Sequence, residues 1–105
     1  MKKGTIVLIP FPFTDLKGSK IRPAVVLCKT DLDVTISFIT SELRWMTESD
    51  VLIFPSFSNG LKITSLIRTG KIATIHSDLV FGELGELSNA EITELNNGLK
   101  KLLQI

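Results

Sequence analysis

The chain has 105 residues, 44% of them apolar, which suits one domain with one core and excludes a disordered segment. Twelve basic and eleven acidic residues leave a net charge of +1, so any polyanion site must be a local patch and not a global field. One cysteine excludes an internal disulfide and a zinc cluster, and no segment approaches the ~20 apolar residues that span a bilayer.

Lys2 and Lys3 precede an apolar run from Ile6 to Phe13. Pro10 and Pro12 interrupt that run and no small-residue cleavage site follows, so it reads as a first strand and not as a leader peptide. Gly4 to Ile9 is expected to be covered on both faces, with pairing near the prolines limited to an edge or an end. Phe11 and Phe13 cap the core or line a groove. Thr14 to Lys20, with Asp15, Gly18 and Ser19, has the composition of a turn.

That turn leads into Lys20-Ile21-Arg22-Pro23-Ala24-Val25-Val26-Leu27-Cys28. Proline pushes the residue before it toward extended geometry, so Arg22 sits at the mouth of a strand with its backbone partly pre-set. The valine-rich run from Ala24 reads as a buried strand, with Cys28 as a buried structural thiol. Asp31 to Asp33 is a short turn, and Val34 to Thr40 is the third strand. Val34, Ile36 and Phe38 share one face, and Thr35, Ser37 and Ile39 the other. Strands two and three are expected to form a hairpin, which brings Arg22 beside Thr40 and Ser41.

Glu42 to Asp50, with Arg44 and Trp45, reads as a loop, and Val51 to Phe54 as a short strand. A turn over Ser56 to Gly60 follows. Leu61 to Ser65 leads into a strand pattern over Leu66 to Thr69 and Lys71 to Ile75, interrupted at Gly70, where a bulge or sharp bend is expected. Phe81 to Glu86 adds a last short strand. Ser88-Asn89-Ala90-Glu91 is a capping box, and Ile92, Leu95, Leu99, Leu102 and Leu103 follow at helical spacing. The order predicts a single domain over residues 1–105, mostly β with one C-terminal helix packed on a small, strongly bent sheet or barrel.

The polar residues at strand ends are Arg22, Thr40, Ser41 and Arg68, with Ser65 close to Arg68. Arginine stays protonated and can donate hydrogen bonds to an anion, phosphate above all. The plainer alternative is that Arg22 pairs with Asp15 or Glu42. His76 stands alone and reads as structural or exposed, and Asp15 is the best-placed carboxylate if a base is needed. There is no carboxylate cluster, no histidine pair at ligand spacing and no glycine-rich phosphate loop, so no metal or cofactor is expected. Arginines and hydroxyls without a metal suit phosphoryl chemistry in which the substrate supplies the nucleophile, as RNA does through its 2′-hydroxyl. Trp45, Phe11 and Phe13 are candidates to stack on unpaired bases.

The chain resembles the MazF/PemK toxins of type II toxin–antitoxin systems over nearly its full length. The resemblance rests on Gly4-Thr5-Ile6-Val7-Leu8 followed by Pro10-Phe11-Pro12-Phe13-Thr14-Asp15, on Arg22-Pro23-Ala24-Val25-Val26-Leu27, on Ile39-Thr40-Ser41, and on Ser65-Leu66-Ile67-Arg68-Thr69 with Lys71-Ile72. It implies an SH3-like or CcdB-type β-barrel acting as a homodimer in the cytoplasm. It implies a metal-independent endoribonuclease that cuts single-stranded RNA, often mRNA, through 2′-hydroxyl attack to a 2′,3′-cyclic phosphate. Arg22 and Thr40 match the family's catalytic arginine and threonine. Arg68 matches a family arginine assigned to RNA binding or site support, and Ser41, Ser65, Asp15 and Trp45 join it as candidates. The resemblance also implies a cognate antitoxin whose disordered tail fills the RNA groove. A non-catalytic barrel that binds RNA or a peptide is the alternative, and a toxin directed at DNA gyrase is a third reading on the same barrel class. The chain lacks the longer loops of the best-known members, so the resemblance carries no cleavage sequence.

Overall fold

The structure is a computed structural model describing residues 1–11 and 20–105. The β-branched and aromatic runs form β1 (Thr5–Phe11), β2 (Lys20–Lys29), β3 (Asp33–Thr40), β4 (Val51–Ile53) and β5 (Ser65–His76). A glycine-punctuated segment forms β6 (Gly82–Glu86), and α1 (Asn89–Leu103) follows. The strands make one sheet in the order β4-β5-β3-β2-β1-β6, with every pairing antiparallel. Among the described residues no helix is long and apolar enough to cross a membrane.

Both faces of the central strands are buried. On one face Ile6, Val25, Ile39 and Ile67 pack with Leu95 of α1. On the other, Val7, Ile9, Ala24, Val26, Val34 and Ile36 pack together. Each fully buried side chain of this kind contributes roughly 1.5–3 kcal/mol. Pro10 lies where β1 has run past β6, so it pairs only with Ile21 of β2, at the end of the strand.

Breaks in register bend the sheet. Ser37 of β3 faces Ile72 of β5, but its neighbour Phe38 faces Arg68, so Thr69, Gly70 and Lys71 bulge out of the ladder. The Ser37 hydroxyl donates to the Arg68 carbonyl at 2.6 Å inside this break. The bend expected at Gly70 is there, and it swings the start of β5 toward β4. A second shift falls between Val26 and Cys28, which opposes Thr35. It turns Cys28 away from the core, so the thiol expected to be buried is exposed.

The expected barrel is open at one seam: β4 and β6 are the two edges of the sheet. The loop after β4 covers that seam. Glu86 N–H donates to the Ser58 carbonyl at 2.9 Å. A β-carbon at Gly85 would collide with the Ser58 and Asn59 backbone, and one at Gly60 with the Leu84 carbonyl. Gly60 also has φ +71°, a left-handed geometry that suits glycine. Asn59 holds the loop from within. Fully buried, its Oδ1 accepts from the Ser56 and Leu61 N–H groups, both at 3.0 Å, and its Nδ2 donates to the Phe54 carbonyl at 2.9 Å.

The capping box forms as expected. Glu91 N–H donates to Ser88 Oγ at 3.2 Å, and Ser88 N–H donates to Glu91 Oε1 at 2.8 Å. Leu95 is buried, with Ile92 and Leu99 partly buried beside it. Leu102 and Leu103 are exposed, so the packed stripe stops a turn short of the expected one. Gly98 is buried, because α1 crosses so close to Ser49 that a β-carbon would collide with its carbonyl oxygen.

Candidate functional site

Three strands bring the candidate residues together through register. Ala24 of β2 faces Phe38 of β3, and Phe38 faces Arg68 of β5. Continuing the β2–β3 register by two residues sets Arg22 opposite Thr40. Directly paired residues share a face, and alternation returns every second residue to it. Arg22, Thr40 and Arg68 therefore lie on one face, continuous with the core of Val7, Ile9, Ala24 and Ile36. Buried strands reach the sheet's end there and give way to polar side chains.

The result is a cleft of about 710 Å³. Arg22, Thr40, Ser41, Ser65 and Arg68 all line it, as do Lys62 and Lys71, which the sequence reading missed. Lys62 is marked only by its place after the turn, and Lys71 by its place in the resemblance motif beside the Gly70 bulge. Four of the lining side chains are cations and one, Glu42, is an anion. Among the described residues, the Arg22, Lys62 and Lys71 side chains have no ion-pair or hydrogen-bond partner. Glu42 pairs with Arg44 at 3.6 Å and not with Arg22. Another hollow, about 400 Å³ between β4 and α1, carries Glu48, Asp50 and Glu94 against Lys101, a lining unsuited to a polyanion.

The hydroxyls differ in what they leave available. Thr40 Oγ1 accepts from Glu42 N–H at 3.1 Å, which fixes the oxygen and leaves its proton to donate. Ser41 is exposed on the rim. Ser65 is buried, and its hydroxyl donates to the Ile63 carbonyl at 2.8 Å, so it supports the wall. Phe11 and Phe38 meet edge to face with centroids 5.3 Å apart and form an apolar floor beside Arg22.

Two candidates stand apart from the rest. Trp45 sits on a 3-10 turn outside the cleft, its ring under the Arg44 guanidinium at 5.0 Å. That stacking, and a turn that leads away from the end of β3, keep it from the other site residues. Asp15 and Phe13 lie outside the described residues. His76 is half-exposed at the far end of β5, where Nδ1 accepts from Asp78 N–H at 3.1 Å.

Arg68 is the cleft cation with an ionic partner. Its Nε lies 3.1 Å from Oδ2 of Asp50, whose side chain is 1% exposed. Continuing the Val51–Ile67 pairing back by one residue sets Asp50 directly opposite Arg68. The same carboxylate accepts from Thr47 N–H at 2.9 Å and from Thr69 N–H at 3.1 Å. Nothing local in the sequence marks Asp50, which ends the polar stretch Glu42 to Asp50.

Comparison with known proteins decides the family. The profile of PemK-like, MazF-like toxins of type II toxin–antitoxin systems matches residues 2–103. The chain belongs to that family. Solved structures share the MazF-like fold throughout. One is an endoribonuclease in complex with its cognate antitoxin from a mycobacterial species, at TM-score 0.82 and 19% identity over 100% of this chain and 96% of that one. Another, a mycobacterial endoribonuclease, gives TM-score 0.78 and 21% identity over 100% and 92%. The Mycobacterium tuberculosis toxin MazF-mt6 gives 0.79 and 19% over 96% and 97%. No curated protein sequence matches the chain.

Proposed function

We propose that this MazF-like toxin is a metal-independent endoribonuclease that cuts single-stranded RNA in the cytoplasm. The observation that carries the reading is a cleft where Arg22, Lys62 and Lys71, unpaired among the described residues, gather with Thr40 in a protein of near-neutral charge. Family membership and the endoribonuclease neighbours support it.

The cleft binds the phosphodiester by charge-assisted hydrogen bonds. The RNA 2′-hydroxyl gives its proton to solvent water and attacks the adjacent phosphorus. The new O2′–P bond forms as the P–O5′ bond breaks, giving a 2′,3′-cyclic phosphate and a 5′-oxygen that takes up a proton from water. Arg22 stabilises the charge that gathers on the non-bridging oxygens and donates a hydrogen bond toward the leaving oxygen. Thr40 donates its free proton to a phosphoryl oxygen. Arg68 and the lysines hold flanking phosphates, and Phe11 with Phe38 offers an apolar floor to the bases. This chemistry is assigned to Arg22 and Thr40, which line the cleft together.

The cognate antitoxin fits the same cleft through an acidic-apolar segment, carboxylates meeting Arg22 and Lys62 and apolar side chains meeting Phe11, Ile63 and Leu84. The toxin acts as a homodimer, in keeping with the exposed apolar side chains of Phe54, Phe57 and Ile63. A 2′-deoxy substitution tests the mechanism. Replacing one ribose at a mapped cut should abolish cutting there while neighbouring sites are still cut. Continued cutting at the deoxy position would overturn it.

A further inference from the structure

Asp50 is a buried carboxylate that the chemistry above does not use, yet it touches a cation of the cleft. Its two oxygens take two backbone N–H groups and lie against Arg68 Nε at 3.1 Å. A neutral carbonyl oxygen satisfies backbone N–H groups; only Arg68 calls for a charge. The Arg68 side chain is 19% exposed. Its Nε is sealed from solvent with its N–H turned off the line to Oδ2, so it makes no formed hydrogen bond. A buried donor left so is costly, and a small rotation of the guanidinium would satisfy it. Apo-state contacts of this kind often tighten only when substrate loads.

We propose that Asp50 is a positioning residue for RNA binding: it holds Arg68 by its inner nitrogen so that the outer nitrogens meet an RNA phosphate. The inference rests on the ribonuclease reading for the identity of the polyanion. The carboxylate also ties the turn before β4 to the β5 backbone through the Thr47 and Thr69 N–H groups, so Arg68 is held at this corner. Arg22, Lys62 and Lys71 lack such an anchor among the described residues. Arg68 is thus the preorganised phosphate ligand, and the lysines are adjustable ones.

The test is a double-mutant cycle on Asp50→Asn and Arg68→Ala. It is read on cleavage of RNA in EDTA and on binding of a mixed-sequence 2′-O-methyl RNA that cannot be cut. Asp50→Asn should raise KM and the 2′-O-methyl RNA Kd about tenfold, with kcat within about twofold, and should add nothing in the Arg68→Ala background. In nitrogen-15 spectra, the Arg68 Nε–H signal should exchange slowly with solvent in the wild type and quickly in Asp50→Asn. A folded Asp50→Asn protein with wild-type KM and Kd overturns the proposal. So does a loss that persists undiminished without Arg68, the mark of a structural role alone. If Asp50→Asn does not fold, Arg68→Lys carries the test, because lysine's single nitrogen cannot occupy both the Nε position beside Asp50 and the outer position that meets the phosphate. It should raise Kd by the same factor, and wild-type affinity there overturns the idea. A wild type that binds the 2′-O-methyl RNA with the predicted cycle but cuts nothing would sink the ribonuclease reading and leave the positioning role standing.

Discussion

The hydroxyl of Thr40 accepts a backbone N–H from Glu42, and this decides what it can do next. With the oxygen fixed, its proton is free for a phosphoryl oxygen, as Arg22 opposite it is free for charge. Hydrogen bonds to charged groups contribute about 1.5–3 kcal/mol. Thr40→Ala should therefore lower kcat/KM for RNA by about 10- to 100-fold, and Thr40→Ser should recover most of it. Cleavage assays on both variants check this, and a Thr40→Ala protein of wild-type rate would remove Thr40 from the site. Ser65 makes the contrast, since its proton is committed to Ile63 and its loss should act through the wall.

Among the elements, helix α1 and the β2–β3 hairpin were the most legible in sequence. The Ser88–Glu91 box and the face alternation of β3 are local signals, and the structure has both. What sequence did not reveal depends on residues far apart in the chain. Gly98 read as a weak point in a helix, worth roughly 1 kcal/mol against alanine. In the fold it is the point where α1 touches Ser49. Gly98→Ala should therefore destabilise the protein, because overpacking costs about 1–3 kcal/mol and exceeds the helix gain. Thermal unfolding should show a melting temperature several degrees lower, and a higher one would contradict the crossing geometry. Asn59 read as a turn residue for the same reason: its role in closing the seam needs β6, some 25 positions on, to be in place. Cys28 was misread because a one-residue bulge is invisible to a pattern of alternation.

For the whole molecule the question is how a chain of net charge +1 would grip RNA. The fold places Arg22, Lys62, Arg68 and Lys71 on one cleft and acidic side chains on the hollow beside α1. The attraction is local, so its salt dependence counts only the phosphates held there. Binding of single-stranded RNA should fall with salt at a log–log slope of about −2 to −3, each phosphate contributing about −0.7. Arg22→Ala should make the slope shallower by about one such increment. A slope near zero would mean that the cleft does not hold a phosphate chain. Metal-free RNA cleavage is proposed to depend on Arg22 in this cleft. Its most direct test is incubation of a long single-stranded RNA in EDTA with wild type and with Arg22→Ala, followed by mapping of the new ends. Discrete cuts bearing 2′,3′-cyclic phosphates and 5′-hydroxyls are expected, reduced at least about 100-fold in the folded variant. Wild-type cutting by Arg22→Ala, or none by a folded wild type, would contradict it.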